Sequence, residues 1–164
     1  MNNQPYTHCG NIDLTDNKML VELWSVDGNR RKEPVQRLEL LLDTGAFITL
    51  ISKDTAEEYG FKIKEECGCA ISGFSEKSLM CDLREIPNVV FCGFTISNVI
   101  VATPHDDGVK VAEILGMNLL ENFDFGFNLT QQKIFLNKRP TFESNKPKYK
   151  VGEISLFDEA ALDD

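Results

Sequence analysis

The sequence predicts a mainly β domain, folded as a small closed or nearly closed barrel with one or two short helices. Most apolar residues lie in about nine short runs, turn-forming residues separate these runs, and only two stretches carry helix signals. The chain has 164 residues, 42% of them hydrophobic and 26% charged, which suits a single globular domain with its own core.

The first predicted pair of strands flanks a strong turn signal. Residues 19–26 are largely apolar with partial alternation, and Asp27-Gly28, a dipeptide favoured in tight hairpin turns, follows them. Residues 38–42 return as the second strand. Because nearly all of these residues are apolar, we expect this strand to be buried on both faces.

A short helix is predicted after the apolar run at residues 47–51. Ser52 or Asp54 can accept hydrogen bonds from the free backbone N–H groups of the first helical turn. Gly60 stands where such a helix would stop, because glycine readily adopts the backbone conformation that ends a helix.

The second half of the chain is predicted to form hairpins and one more short helix. Gly73-Phe74 separates the first two strands, and a glycine in the first loop position suits a two-residue turn. The helix follows Ile114-Leu115-Gly116 and is capped or begun near Asn118. The predicted strands are residues 67–72 and 75–86, 89–91 and 94–102, and 123–129 and 133–136, with the helix at 117–121.

We expect three segments along the chain. Residues 1–11 form an N-terminal segment, residues 12–138 the folded domain, and residues 139–164 a charged C-terminal tail. The tail joins a basic, proline-containing stretch to an acidic end, a composition typical of mobile tails. Residues 151–157 in the tail contain apolar side chains that could also pair as a strand.

The acidic composition limits the expected partners. A formal net charge of −9 repels phosphate backbones, so no nucleic acid partner is expected. No apolar run approaches the roughly 20 residues that span a bilayer. Residues 1–13 lack signal-peptide features, so we expect a cytoplasmic protein with no membrane partner. The five cysteines lack disulfide-scaffold spacing, which favours reduced thiols.

Asp43-Thr44-Gly45 is the candidate for chemistry because of the strand that precedes it. A carboxylate at the end of a buried strand is half withdrawn from water, and burying a charge is costly. Gly45 permits close approach of a backbone or a ligand. Thr44 offers a hydroxyl that can hydrogen-bond across a symmetric contact. The triplet alone is a weak signal, because a turn aspartate in an unrelated β protein would look the same.

With its neighbours, the triplet resembles the catalytic loop of the retropepsin-like aspartic proteases. Leu41-Leu42-Asp43-Thr44-Gly45-Ala46 is similar to that loop. Residues 114–120 resemble the closing motif of the family, in which two apolar residues and a glycine pass beside the loop and enter a helix. Residues 94–101 resemble the strand pair before that motif, and Gly73 stands where the family places its flap turn. The resemblance covers about residues 18–136.

This resemblance implies a homodimeric aspartic endopeptidase of the retroviral-protease fold, acting on a peptide or protein substrate without a cofactor. Two neighbouring carboxylates share one proton, so that one acts as base and the other as acid. The chain has one Asp-Thr-Gly and no Asp-Ser-Gly, so the second aspartate would come from another copy across a two-fold axis. The residues assigned in this way are Asp43, Thr44 and Gly45 for catalysis, and Ala46, Ile71, Gly73 and Phe74 for substrate binding.

Two other functions stay open. The chain could be a catalytically silent retropepsin-like module for dimerisation or peptide binding, although such a module has no need of a half-buried carboxylate. It could also be a protease restricted to its own precursor or to one partner.

A metal site is not expected from the sequence. Cys67-Gly68-Cys69, with Cys81, Cys92 and His8-Cys9, supplies enough donors for zinc. The spacing nevertheless lacks the paired Cys-x-x-Cys knuckles that structural zinc sites favour. His8 and His105 have no partner that the sequence reveals, and both are predicted to lie on the surface.

Overall fold

The structure is a computed structural model that describes residues 6–26, 34–72, 78–139 and 152–155, with the backbone alone at residues 34, 35 and 152–155. These ranges contain eleven strands and two short helices, so the mainly β prediction is confirmed. In chain order the elements are β1 (His8–Asn11), β2 (Asp13–Thr15), β3 (Lys18–Val26), β4 (Pro34–Leu42), α1 (Lys53–Glu58), β5 (Lys62–Ser72), β6 (Leu79–Phe91), β7 (Phe94–Pro104), β8 (Ile114–Leu115), α2 (Met117–Leu120), β9 (Phe123–Asn128), β10 (Lys133–Lys138) and β11 (Gly152–Ser155).

The strands form two sheets. One has three strands in the order β1-β10-β9, and the other has eight, with the main order β11-β5-β6-β3-β4-β8. In the larger sheet β2 also pairs with β3, and β7 pairs with β6. Leu50 forms single bridges to Ala102 of β7 and to Ile114 of β8. The order β6-β3-β4-β8 therefore leads back to β6 through Leu50 and β7. Leu50 connects β8 to β7 by single bridges, so strand pairing is not continuous at that point.

The first predicted pair of strands is present as the antiparallel pair β3 and β4, although β4 begins earlier, at Pro34. The turn signal Asp27-Gly28 lies outside the described residues. The expectation that residues 38–42 are buried on both faces is wrong at Glu39, and Leu41 is only partly buried. Leu38, Leu40 and Leu42 are buried, whereas Glu39 is exposed. The Glu39 carboxylate pairs with Arg37 on the outer face, where water can solvate both charges.

The longest strand, β6, is continuous where two separate strands were predicted. It pairs with β7 from Cys81 to Phe91 and includes Pro87. A proline in a strand removes one ladder hydrogen bond, because it has no backbone N–H, but the pairing resumes at Asn88. The turn at Cys92-Gly93 joins β6 to β7 as expected, with both residues at positive φ.

Both predicted helices are present, and their ends are now assigned. Ser52 is the N-cap of α1, since its side chain accepts a hydrogen bond from the Thr55 N–H, and Gly60 follows the helix at φ +70°. The expected start of α2 near Asn118 is correct to within one residue, since the helix begins at Met117, but Asn118 is not its cap. Gly116 is the N-cap and the Asn118 side chain bonds outside the helix. None of the described helices is long and apolar enough to cross a membrane.

Two short strands lie near the chain ends: β1 was not predicted, whereas a strand within residues 151–157 had been left open. β1 lies within residues 1–11 and pairs with β10, with His8 opposite Leu136. The C-terminal β11 pairs in parallel with the end of β5, with Gly152 opposite Cys69 and Ser155 opposite Ser72. A strand of four residues is too short to give a clear periodic signal. In both cases the pairing strand also lies more than eighty residues away along the chain, so no local hairpin pattern marks it.

The buried side chains form two hydrophobic clusters. The larger one is built mainly from β3, β4, β6 to β10 and both helices, and it includes Phe91 and Phe123. The smaller one, called here the loop core, lies where β5, β6, β7 and β8 meet the segment after β4. Its buried members are Ala46, Ile48, Leu50, Cys69, Ile71, Cys81, Leu83, Ala102 and Ile114.

Packing of Gly10 against Cys92 gives a direct test of how β1 is anchored. A Cβ at Gly10 would lie 2.3 Å from Cys92 Sγ, so Gly10→Ala should destabilise the chain by about 1–3 kcal/mol. Removing the sulfur makes room for the added methyl group. In urea denaturation, Gly10→Ala should therefore cost much less in a Cys92→Ala background than in the wild type. Equal costs in both backgrounds would contradict this contact.

Candidate active site

The Asp43 loop begins where β4 ends. The Asp43 N–H donates to the Leu115 carbonyl oxygen at 3.1 Å, which fixes the loop to β8. The Asp43 side chain folds over its own turn, and its Oδ1 accepts a hydrogen bond from the Gly45 N–H at 2.8 Å. Asp43 as a residue is partly buried, and the hydrogen bond between its carboxylate and the Gly45 N–H lies at the exposed surface. The hydrogen bond holds the carboxylate in place while the rest of it still reaches solvent.

The three residues after Asp43 differ in what they offer to a partner molecule. Thr44 and Gly45 are exposed, whereas Ala46 is completely buried. The Ala46 N–H closes the turn by donating to the Asp43 carbonyl oxygen at 3.2 Å. The top of the loop is therefore a surface of small, polar groups on a firmly anchored turn.

The predicted closing motif passes beside this loop. In the parallel pair of β4 and β8, Leu41 lies opposite Ile114 and Leu42 opposite Leu115. Gly116 follows and comes so close to the segment after the loop that a Cβ there would lie 2.5 Å from the Ile48 carbonyl carbon. Only glycine fits this position without moving the backbone of Ile48.

A partly buried hydrogen-bond network joins the two motifs, and sequence analysis missed it. Asn118 Oδ1 accepts hydrogen bonds from the backbone N–H and the hydroxyl of Thr49, both at 2.8 Å. The Thr49 hydroxyl accepts from the Gly116 N–H at 3.1 Å, and Asn118 Nδ2 donates to the Ile100 carbonyl oxygen at 2.8 Å. The available signal was Thr49, a polar residue inside an otherwise apolar run.

The predicted substrate-binding residues are only partly described. Ala46 and Ile71 both belong to the loop core and have no exposed surface in the single chain. Gly73 and Phe74 lie outside the described residues. Strands β5 and β6, which flank that segment, pair up to Ile71 opposite Leu79. The loop core therefore connects the Asp43 loop to the hairpin on which the flap was predicted, and a role of these residues in substrate binding stays a prediction.

Both histidines are partly exposed, and each has a partner that the sequence did not reveal. His105 Nδ1 lies 2.8 Å from Asp82 Oδ1, and the hydrogen bond and charge of that carboxylate raise the pKa of His105. His8 stacks on Phe94 with 3.9 Å between ring centroids. Neither histidine could have been paired from the sequence, because its partner lies on a different strand.

With this geometry established, the chain can be compared with known proteins. A sequence model of the family described as "gag-polyprotein putative aspartyl protease" matches residues 35–122, more than half of the 164 residues. The chain belongs to this aspartyl protease family. The matched region contains the Asp43 loop, the Gly116 passage and the Thr49–Asn118 network. No match is found among curated proteins.

A solved structure confirms the retropepsin-like fold. A retropepsin-like aspartic protease from Rickettsia conorii superposes with a TM-score of 0.56 and 19% identity, covering 78% of this chain and 96% of that one. EIAV protease complexed with the inhibitor HBY-793 aligns with a TM-score of 0.43 and 19% identity, covering 58% of this chain and 92% of that one.

The close passage at Gly116 can be tested by adding one methyl group. Gly116→Ala should destabilise the chain by at least about 3 kcal/mol, because the Cβ meets backbone atoms of the Asp43 segment that cannot rotate away. Gly60→Ala is the matched control. Gly60 has a positive φ but no atom within 4 Å of an added Cβ, so backbone strain alone should cost about 1–2 kcal/mol. Urea denaturation of both variants measures the difference, and equal costs would contradict the steric account.

Proposed function

We propose that this protein is an aspartic endopeptidase that acts as a homodimer, with Asp43 of each chain forming the catalytic pair. The observation that carries the proposal is the position of the Asp43 carboxylate. Asp43 is a partly buried residue at the end of β4, its carboxylate accepts a hydrogen bond from the Gly45 N–H, and its turn is anchored to Leu115. Family membership over residues 35–122 supports the same chemistry.

A single chain supplies one half of such a site. Peptide hydrolysis by carboxylates needs a base to take a proton from water and an acid to protonate the carbonyl oxygen or the leaving amine. Two carboxylates held close together cannot both ionise cheaply, so one stays protonated and both roles are filled. Because the sequence has a single Asp-Thr-Gly, the second carboxylate comes from the Asp43 of another copy.

The exposed top of the loop suits this assembly. Thr44 is exposed next to a carboxylate that is fixed in place, so its hydroxyl can hydrogen-bond across a two-fold axis to the loop of the partner. In the dimer, the water between the two carboxylates attacks the scissile carbonyl carbon. The ionised Asp43 accepts the proton from that water, and the protonated one donates to the carbonyl oxygen. The peptide binds in an extended conformation beneath a flap that carries Gly73 and Phe74.

Replacing the carboxylate tests the catalytic role. Asp43→Asn keeps the side-chain shape and an oxygen for the Gly45 N–H, but it cannot take up a proton from water. Cleavage of a diverse peptide mixture, followed by mass spectrometry from mildly acidic to neutral pH, should fall by at least roughly 1000-fold. Asp124→Asn, which removes the same charge from an exposed residue of β9, should leave cleavage unchanged.

The outcome also separates the alternatives. Equal cleavage by wild type and Asp43→Asn would overturn the catalytic assignment. Cleavage by neither protein, with both folded, would instead favour the silent dimerisation or peptide-binding module, or a protease restricted to one partner.

The stoichiometry of inhibitor binding tests the shared site. A peptide analogue with a central hydroxyl mimics the tetrahedral intermediate and should bind one molecule per two chains in native mass spectrometry. Asp43→Asn should weaken this binding while sedimentation still shows a dimer. One inhibitor per chain, or a strict monomer at high protein concentration, would contradict a site built from two copies.

A further inference from the structure

Three metal-binding side chains from three neighbouring strands come together outside the Asp43 loop. Cys67 lies on β5, Asp82 on β6, and His105 immediately after β7. One donor atom from each, the thiol sulfur, a carboxylate oxygen and a ring nitrogen, lies within 4.8 Å of the other two. Among the described residues, this is the one group of three such side chains that converges in this way.

Asp82 is the central member of this group. Its side chain is only 3% exposed, and its Oδ1 accepts hydrogen bonds from the Cys67 N–H and the His105 ring, both at 2.8 Å. Pairing between β5 and β6 is irregular from Glu65 to Cys69, and Cys67 there adopts φ +49°. The buried carboxylate therefore holds the other two donors close together before any ion binds, while Cys67 and His105 remain accessible from solvent.

The surroundings of the cluster favour a cation. Desolvation, followed by the negative charges of Asp82, Glu66 and Asp106, raises the pKa of the Cys67 thiol. The same carboxylates attract a divalent ion, which in turn stabilises the thiolate that binds it.

The positively charged side chain of Lys53, beside His105, is already paired with the Asp107 carboxylate. Lys53 Nζ donates to the His105 carbonyl oxygen at 2.7 Å and pairs with the Asp107 carboxylate at 2.6 Å. These contacts fix the segment that carries His105, and the Asp107 charge offsets the repulsion that Lys53 would exert on a bound cation.

We propose that Cys67, Asp82 and His105 bind one Zn²⁺ ion, with a water molecule in the fourth position. Sulfur, imidazole nitrogen and carboxylate oxygen form a donor set that zinc accepts. Zinc bonds of about 2.0–2.3 Å place tetrahedral ligand atoms roughly 3.3–3.8 Å apart. Donors within 4.8 Å can reach this spacing by side-chain rotation, with the ion replacing the proton shared by Asp82 and His105.

The bound ion would fasten the β5–β6 hairpin to the end of β7. Cys67 and Asp82 lie on the two strands that flank residues 73–77, and His105 adds the neighbouring strand. The site uses no residue of the Asp43 loop. Its existence therefore does not depend on the proposed protease activity.

Metal titration of the full chain tests the proposal. Chelator-treated, reduced protein is titrated with Co²⁺, which reports a thiolate ligand through a charge-transfer band in the near ultraviolet. Zn²⁺ is then added against a chromophoric chelator. We expect one ion per chain, displacement of Co²⁺ by Zn²⁺, and a higher Tm in the presence of zinc, because the ion binds the folded state.

Single substitutions locate the ion. Cys67→Ser and His105→Asn change accessible side chains and should each weaken zinc binding by at least roughly 100-fold, with Cys67→Ser also abolishing the charge-transfer band. His8→Asn and Cys9→Ser are matched controls, because they change the other histidine and an exposed cysteine beside it, and they should leave affinity unchanged. Circular dichroism confirms that each variant is folded.

Two results would overturn the zinc site. One is the absence of stoichiometric binding to the wild-type chain. The other is evidence that the ion lies elsewhere. Such evidence would be wild-type zinc affinity in both Cys67→Ser and His105→Asn, or a loss of zinc affinity in the His8 and Cys9 controls.

Discussion

The close passage of Gly116 over the backbone of Ile48 is the constraint on which the arrangement of the site depends. A side chain at Gly116 would overlap the Ile48 carbonyl group, so the two segments can approach only because glycine has none. That approach lets Leu115 accept the Asp43 N–H, and it brings Asn118 to Thr49. The location of the carboxylate therefore follows from a contact between two segments about seventy residues apart along the chain.

Packing beneath the loop extends this constraint to the rest of the domain. Ala46 and Ile71 share the loop core, and Leu50 bridges β7 to β8 across the gap in the larger sheet. The Asp43 loop and the β5–β6 hairpin thus rest on the same buried side chains. A loop supported in this way keeps its carboxylate in a fixed orientation, which is what a shared proton between two carboxylates would require.

Local patterns in the sequence predicted the elements that carry their own signal. Ser52 was one of two cap candidates because helix caps demand particular residue types. The Asp43 triplet and the glycine of the closing motif stood out mainly through their resemblance to the retropepsin-like proteases. The short strand β1, the Thr49–Asn118 network and the Asp82–His105 pair were missed, since each depends on a partner distant in sequence. The exposure of Glu39 in β4 has a different origin, since its charged side chain lies on the outer face of the sheet, where it pairs with Arg37 two residues away.

At the irregularity in β5, the strained backbone at Cys67 and the buried carboxylate of Asp82 are joined by a hydrogen bond. A non-glycine residue at positive φ, such as Cys67, carries strain of about 1–3 kcal/mol. A buried carboxylate such as Asp82 is costly unless hydrogen bonds satisfy it. The turn at Cys67 directs its N–H to Asp82, so that the strained conformation supplies a hydrogen bond that the carboxylate needs. Because His105 supplies the second, this part of the hairpin is held by polar contacts, whereas its end toward Ile71 is held by the apolar loop core.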